Sequence, residues 1–103
     1  MSDAARPDRT VLATPRLLKA KRRLPETSQN EVDAQVRTVL ADPFRGEPKS
    51  GALRGVRVVK CTVEQQHYLL AYRFLPKANV IEVLNVGPHE NFYRDLQKYL
   101  HAR

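Results

Sequence analysis

The chain has 103 residues, which is room for one domain with one modest core. Hydrophobic residues make up 42% and charged residues 28%, a balance that is typical of soluble globular proteins and excludes disordered or fibrous classes. No apolar run approaches the ~20 residues that a membrane-spanning helix needs. Residues 1–9 lack the apolar region of a secretory signal, and we expect them to be a flexible leader to a single domain over residues 10–103.

Cysteine and histidine usage limits the chemistry that is available. Cys61 is the only cysteine, so it has no partner for an internal disulfide. His67, His89 and His101 are too widely spaced for a recognisable zinc motif. We therefore expect a reduced, cytoplasmic domain that uses no metal and no other cofactor.

The charge is the first positive indication of function. Eighteen Lys and Arg residues against eleven Asp and Glu residues give a net charge of +7. Such an excess favours a polyanionic partner, which is either nucleic acid or an acidic protein. Many small proteins are also basic without any such partner, so the charge alone does not assign a function.

The chain begins with a predicted strand and a predicted helix. Residues 10–14 form a short β-prone run. Thr14 followed by Pro15 is typical of a helix N-terminus, because the threonine can cap the helix and proline suits its first position. Pro25 ends this helix, whose last turn is rich in Lys and Arg, as the helix dipole favours.

A second helix follows at once. Ser28 and Glu31 have the spacing of a capping box, which predicts that this helix begins at Ser28. Its valines and leucine recur at helical spacing. The helix is predicted to end at Asp42, because the residue before Pro43 avoids the helical conformation.

The second half of the chain predicts a sheet and a closing helix. A basic loop over residues 44–55 precedes three β segments, whose short connections imply an antiparallel meander: residues 56–63, 68–74 and 80–86. Gly87–Pro88 is predicted to end the third strand, and residues 89–100 to form the last helix. The order β-α-α-β-β-β-α predicts an α+β domain in which an antiparallel sheet packs against two N-terminal helices and a C-terminal helix.

His89 and Tyr93 are the first candidates for chemistry. Being four residues apart, they lie one above the other on the predicted closing helix, at the rim of the sheet. An imidazole exchanges a proton near neutral pH, and a phenol can donate a hydrogen bond or orient a phosphate. The alternative is that His89 caps the helix and Tyr93 is a packing residue.

Cations on the sheet are the second group of candidates. The alternation of the second meander strand turns Tyr68, Leu70, Tyr72 and Phe74 towards the helices, and Arg73 towards the open face. Arginines bind phosphates through two hydrogen bonds and can offset the charge on a phosphorane. A concave basic surface near His89 is therefore predicted from four residues: Arg54, Arg57, Lys60 and Arg73. The alternative is a solvated polar face.

His67 begins the second meander strand. It is either a second acid–base group or an ordinary exposed turn histidine.

Three stretches of the second half, taken in their order and spacing, resemble the RelE/ParE superfamily, the toxins of bacterial type II toxin–antitoxin systems: Leu53–Lys60, Tyr68–Arg73 and Val83–Tyr93. The resemblance covers about residues 10–100. It implies a microbial RNase-like fold and a small acidic antitoxin as partner.

For the RelE branch, the resemblance implies metal-independent mRNA cleavage on the ribosome, in which a ribose 2′-hydroxyl attacks its own 3′ phosphate. His89 matches the position of a catalytic Arg or His, Tyr93 matches a late aromatic residue, and Arg57 with Lys60 match basic residues on the first meander strand. We therefore expect His89, Tyr93 and Arg73 to be catalytic. Four residues are expected to bind RNA or phosphate: Arg54, Arg57, Lys60 and His67.

The resemblance leaves three functions open. The first is the ribosome-dependent endonuclease of the RelE branch. The second is the ParE branch, which lacks a catalytic set and inhibits DNA gyrase. The third is a non-catalytic domain that binds RNA or the antitoxin. Some superfamily members carry further His or Asp residues where this chain has Val63–His67, and here only Glu64 or His67 could replace them.

Overall fold

The computed structural model describes residues 9–102 as three α-helices and five strands. The predicted leader therefore lies, except for Arg9, outside the described residues. In chain order the elements are β1 (Thr10–Ala13), α1 (Pro15–Arg22), α2 (Glu26–Ala41), β2 (Glu47–Pro48), β3 (Arg57–Val63), β4 (Gln66–Leu75), β5 (Val80–Pro88) and α3 (Phe92–Ala102). No helix within this range is long and apolar enough to span a bilayer.

The predicted α+β order is confirmed, with one strand added. The two-residue strand β2 lies in the segment that was predicted to be a basic loop, and it pairs with β3. The five strands form one sheet in the order β1-β5-β4-β3-β2. Strands β3, β4 and β5 form the predicted antiparallel meander, but β1 runs parallel to β5, so the sheet is mixed and not wholly antiparallel.

Helix α1 begins as the sequence predicts. The Thr14 hydroxyl oxygen accepts a hydrogen bond from the Leu17 amide at 3.0 Å, and Pro15 occupies the first turn. The same hydroxyl donates to the Leu84 carbonyl at 2.8 Å. This one side chain therefore caps α1 and also attaches its first turn to β5.

Helix α2 does not begin where the capping box predicted. It starts at Glu26, after Pro25, which provides no side-chain cap. Proline fixes a backbone angle that suits the entry to a helix, so the helix starts two residues before Ser28. Ser28 is instead buried within the first turns, and its hydroxyl has no hydrogen-bond partner among residues 9–102. The predicted end at Asp42 is confirmed.

Two separate cores lie on the two faces of the sheet. The first core lies under α1 and α2 and includes Leu17, Val39, Leu70 and Tyr72; Tyr68 and Phe74 pack against it. This confirms the predicted orientation of Tyr68, Leu70, Tyr72 and Phe74 in β4, but the opposite face, which was predicted to be open, is covered by α3. The second core lies under α3 and is formed mainly by the following residues: Leu53, Val58, Leu69, Ala71, Leu84, Phe92 and Leu96.

A β-bulge in β5 determines which side chains reach α3. Ala71 pairs with Asn85 and Tyr72 pairs with Val83, so Leu84 is one residue more than the partner strand has. Beyond this bulge Gly87 faces α3. A Cβ atom built on Gly87 would lie 3.5 Å from Cδ1 of Phe92, an ordinary van der Waals contact, so this position faces the first turn of α3.

The junction between β5 and α3 differs from the prediction. Strand β5 continues through Gly87 and Pro88, and α3 begins at Phe92 and not at His89. A turn joins the two elements: the Phe92 amide donates to the His89 carbonyl at 3.1 Å, and Asn91 adopts a left-handed φ of 63°. Asparagine tolerates that conformation better than most residues. His89 is thus a turn residue at the end of the sheet.

Candidate functional site

His89 and Tyr93 lie in contact at the N-terminal end of α3. Their rings meet edge to face, with centroids 5.8 Å apart and planes at 86°. The His89 ring is exposed and Tyr93 is half-buried. The predicted proximity is therefore observed, although the turn before α3 produces it and not the spacing along a helix.

Lys49 and Glu47 complete this cluster. The Lys49 ammonium lies 5.0 Å from the centroid of the Tyr93 ring and 3.3 Å from Oε1 of Glu47. Burial lowers the pKa of Lys49, but its hydrogen bonds with Tyr93 and Glu47 outweigh burial and leave the pKa raised, so the ammonium is charged at neutral pH. We call His89, Tyr93, Lys49 and Glu47 the reaction cluster.

Backbone pairing brings Lys49 and Glu47 to this position. Glu47 in β2 pairs with Val58 in β3, and the Lys49 amide donates to the Val56 carbonyl at 2.9 Å. Residues two apart on an extended chain point to the same side, which places both side chains near Tyr93. Sequence reasoning missed both residues because it assigned this segment to a loop. A Glu-x-Lys pattern in an extended segment is the only local signal they give.

Lys60 and His67 lie at the same end of the sheet as the reaction cluster. Lys60 pairs with Leu69, which in turn pairs with Gly87 on the neighbouring strand. His67 pairs with Thr62, two residues further along β3. Both side chains are exposed, and by strand alternation both lie on the face that carries α3.

Arg54 and Arg73 lie at the opposite end of α3. Arg73 pairs with Glu82, about 16 Å along β4 from the residue that pairs with Pro88. Its Nη1 is 3.9 Å from Oε1 of Glu82. Arg54 and Arg73 line a cavity of about 450 Å³ together with residues of the last turns of α3, among them Lys98 and His101. The structure therefore does not place either arginine beside His89.

Arg57 faces the first core. It pairs with Tyr72, and its Nη1 donates to the carbonyls of Phe44 at 3.2 Å and Gly46 at 2.8 Å. Its guanidinium also lies over the Phe44 ring, 5.1 Å from the centroid. These contacts hold the segment between α2 and β2 against the sheet. The structure thus does not bring the four residues of the expected basic surface together: of these, only Lys60 lies at the His89 end of the sheet on the face that carries α3.

The described residues bear on two further kinds of chemistry: metal binding and a reactive thiol. Within residues 9–102, no three His, Cys, Asp or Glu side chains group closely enough to hold a metal ion. Cys61 is a free, buried cysteine. Burial, together with the charge of Glu31, raises the pKa of its thiol, so the reactive thiolate form is disfavoured.

The reaction cluster combines the groups that phosphate chemistry needs. An exposed imidazole can take or give a proton, and an adjacent phenol can position it or a substrate group. A fixed ammonium can offset negative charge that develops on a phosphate. The Glu47 carboxylate, which is largely exposed, can accept a proton.

Comparison with known proteins gives one match by family. The family model for the ParE-like toxin of type II bacterial toxin–antitoxin systems matches residues 11–97. This range extends from the second residue of β1 to the first half of α3 and contains the whole reaction cluster. A search of curated protein sequences gave no significant match.

Solved structures show the same fold at low sequence identity. A double arginine-to-alanine mutant of Escherichia coli toxin RelE in the free state is 22% identical with a TM-score of 0.72, covering 90% of this chain and 98% of that one. The RelBE2 toxin–antitoxin complex of Mycobacterium tuberculosis is 21% identical with a TM-score of 0.64, covering 80% and 92%. The RelE–RelB complex of Pyrococcus horikoshii OT3 is 18% identical with a TM-score of 0.55, covering 81% and 97%.

Proposed function

We propose that this chain, which belongs to the ParE-like toxins of type II bacterial toxin–antitoxin systems, is an endoribonuclease that cleaves mRNA on the ribosome and so arrests translation and growth. One observation carries the proposal: the exposed His89 imidazole contacts Tyr93, whose ring lies beside the Lys49 ammonium. The match of His89 and Tyr93 to functional positions of the RelE branch supports the choice of mRNA as substrate. An inhibitor that only binds its target has no need of such a cluster.

The proposed reaction is an internal transesterification. The ribose 2′-oxygen bonds to the adjacent phosphorus, and the 5′-oxygen leaves with a proton, which gives a 2′,3′-cyclic phosphate and a 5′-hydroxyl. In this proposal His89 carries one of the two proton transfers, and the Glu47 carboxylate, which lies 3.3 Å from the Lys49 ammonium, carries the other. Lys49 and the more distant Lys60 offset the charge of the phosphorane. Tyr93 orients His89 or stacks on a base.

An antitoxin is the proposed cellular partner. The E. coli RelBE and M. tuberculosis RelBE2 structures of this fold contain the toxin together with its antitoxin. The net charge of +7 suits a small acidic partner, whose approach it would accelerate. Co-expression with the product of an adjacent small acidic reading frame should therefore abolish toxicity and yield a stable complex.

His89→Ala tests the catalytic role. We expect this change to lower mRNA cleavage about 100-fold or more, because it removes a proton-transfer group. Primer extension on a translated message after induction in bacterial cells measures the cleavage. His101→Ala is the matched control, since His101 is also exposed and lies at the other end of α3. Undiminished cleavage by a folded His89→Ala protein would remove His89 from the mechanism.

The order in which syntheses stop separates cleavage from gyrase inhibition. With an mRNA endonuclease, pulse-labelled protein synthesis should fall first after induction while DNA synthesis continues. An inhibitor of gyrase would instead stop DNA synthesis first and induce the response to DNA breaks. If DNA synthesis stops first while translation stays intact, the endonuclease hypothesis is wrong and gyrase inhibition is the function. A harmless induction would leave only a binding domain.

A further inference from the structure

A groove between α1 and α3 adjoins the reaction cluster without belonging to it. Its cavity of about 320 Å³ is bounded by α1, by the end of β5 and by the first turns of α3. Pro88 and Glu90, the two neighbours of His89, both line it. A polymer strand that passes His89 can therefore continue into this groove. We call it the α1–α3 groove.

Helix α1 and its C-cap residue Arg23 present three cations to the groove. Arg16, Lys19 and Arg23 recur at positions i, i+3 and i+7, so they share one side of the helix while Leu17 faces the first core. In the described chain, none of the three forms an ion pair with the carboxylates of the opposite wall. Their charge is thus available to an anion.

Arg16 has an unused buried donor. Its guanidinium lies over the Tyr99 ring at 5.1 Å, which fixes its plane. Its Nε is buried and has no hydrogen-bond partner among residues 9–102. A buried donor without an acceptor costs free energy, and Arg16 is itself part of the groove wall. Asn85, which is only 9% exposed, supplies an amide to the same groove.

The opposite wall indicates what kind of anion fits. Glu90 and Asp95 bring two carboxylates to the groove, facing the three cations of α1. Carboxylates repel a run of acidic side chains, but they accept hydrogen bonds from ribose hydroxyls and base amino groups. A nucleotide carries both a phosphate and such donors, whereas an acidic peptide segment offers mainly carboxylates. The groove therefore favours RNA over an acidic protein segment.

We propose that the α1–α3 groove is a substrate subsite that binds the nucleotide next to the scissile phosphate, with its phosphate on Arg16, Lys19 and Arg23. The inference rests on the proposed endonuclease function. It adds to the reaction cluster a second anchor on the RNA, supplied by the first helix of the chain. Binding energy from this neighbouring nucleotide would hold the reacting ribose beside His89.

Binding of an uncleaved RNA tests the subsite without requiring cleavage. All proteins carry His89→Ala, and the probe is a labelled ten-residue oligouridylate titrated over a series of salt concentrations. Lys19→Gln with Arg23→Gln should weaken binding about tenfold or more at low salt and reduce the slope of log K against log salt by about 1.4, as the loss of two phosphate contacts predicts.

Arg22→Gln with Lys77→Gln is the matched control. Both residues are exposed, Arg22 lies on α1 itself, neither lines the groove, and the pair removes the same total charge. We expect this control to change the salt slope by much less. Arg16→Lys, which keeps the charge but loses the Nε donor, should weaken binding several-fold with an unchanged thermal unfolding temperature.

Two results would overturn the subsite. The first is an equal loss of binding in the groove pair and the control pair, which would mean that only overall charge matters. The second is that the groove pair loses binding of a deca-glutamate peptide but keeps that of the oligouridylate, which would make the groove a site for an acidic protein. Absence of mRNA cleavage by the unmutated chain would instead contradict the proposed function, so the two failures are distinguishable.

Discussion

At the scale of single residues, Lys49 and Arg73 are two candidates for the cation that acts on the reacting phosphate. Both were available from the sequence, and only Arg73 was predicted to be catalytic. The structure places the Lys49 ammonium 5.0 Å from the Tyr93 ring, whereas Arg73 lies near the last turns of α3 and faces Glu82. A charge close to the reacting phosphate acts more strongly than one about 16 Å away.

We predict that Lys49→Gln lowers mRNA cleavage at least about tenfold, because it removes the ammonium that offsets phosphorane charge. Arg73→Gln should change cleavage by no more than a few-fold. Cleavage on isolated ribosomes that carry a defined message measures both. Lys49→Arg should recover part of the activity, since it restores a charge. A larger loss in Arg73→Gln than in Lys49→Gln would move the catalytic centre to the other end of α3.

At the scale of elements, the two N-terminal helices differ in their capping: Thr14 caps α1, whereas Ser28 has the sequence pattern of a cap but does not cap α2. Thr14 accepts from the Leu17 amide and donates to the Leu84 carbonyl. Ser28 belongs to an equally good capping pattern, yet its hydroxyl is buried and finds no partner among residues 9–102. The hydroxyl of Ser28 therefore contributes desolvation cost without a compensating hydrogen bond.

Opposite stability changes follow for these two hydroxyls. Thr14→Ala should lower the free energy of unfolding by about 1–2 kcal/mol, the usual value of an N-cap. Ser28→Ala should leave it unchanged or raise it by about 0.5 kcal/mol, because alanine is the better helix former. Urea denaturation followed by circular dichroism measures both changes. If Ser28→Ala costs as much as Thr14→Ala, the serine hydroxyl is a working cap.

How far the sequence predicts an element depends on how local its signals are. Thr14–Pro15 decides the start of α1 within two residues, and short connections decide the meander. The start of α2 could not be predicted in this way, since Pro25 and the Ser28 capping box offer two starting points within one turn, and the helix begins after Pro25. Strand β2 has only two residues, so its existence depends on the register of β3 and not on its own pattern.

The candidate site follows the same rule: contacts between residues close in sequence could be predicted, and contacts between distant segments could not. His89 and Tyr93 are close in sequence, and their contact follows from the pattern of the chain end. The contact between Lys49 and Tyr93 joins distant segments through β2, so no spacing could reveal it. The faces of Arg57 and Arg73 likewise depend on where β3 begins and how it pairs with β4. These contacts and orientations depend on how distant segments of the chain pair, so local sequence patterns do not reveal them.

At the scale of the whole molecule, hydrogen bonds of Tyr72 attach the segment after α2, which contains Pro43 and Gly46, to the sheet. The Tyr72 side chain is fully buried in the first core, and its hydroxyl donates to the Pro43 carbonyl at 2.7 Å and accepts from the Gly46 amide at 2.8 Å. A Cβ atom on Gly46 would lie 2.8 Å from that hydroxyl, so only glycine fits there. Burial raises the pKa of Tyr72, although the Gly46 hydrogen bond and the Arg57 charge oppose this.

Alkaline pH should therefore destabilise the fold. A folded-state pKa above that of the unfolded chain gives stability that is complete below the unfolded pKa, about 10 for tyrosine, and is lost as the pH rises past it towards the folded value. Cys61, whose pKa burial also raises, starts the same loss near pH 9. We expect Tyr72→Phe to lower stability at pH 7 by about 1–3 kcal/mol, since two buried backbone groups lose their partner.

The same variant should show a shallower fall in stability between pH 9 and 11 than the unmutated chain. Urea denaturation across this range measures the slope, with Tyr68→Phe on the same strand as the control for losing a tyrosine. An unchanged slope in Tyr72→Phe would assign the alkaline sensitivity to another group.

The extra residue Leu84 in β5 determines how the strand end that leads to His89 is oriented. Successive side chains of a strand emerge on opposite sides, so one inserted residue exchanges the sides of all the side chains that follow it. With Leu84 in place, Val86 enters the first core and Gly87 turns towards Phe92. Deleting Leu84 would turn Val86 out of the first core and Gly87 away from α3, so the approach of the chain to α3 depends on the number of residues in β5 as well as on their identity.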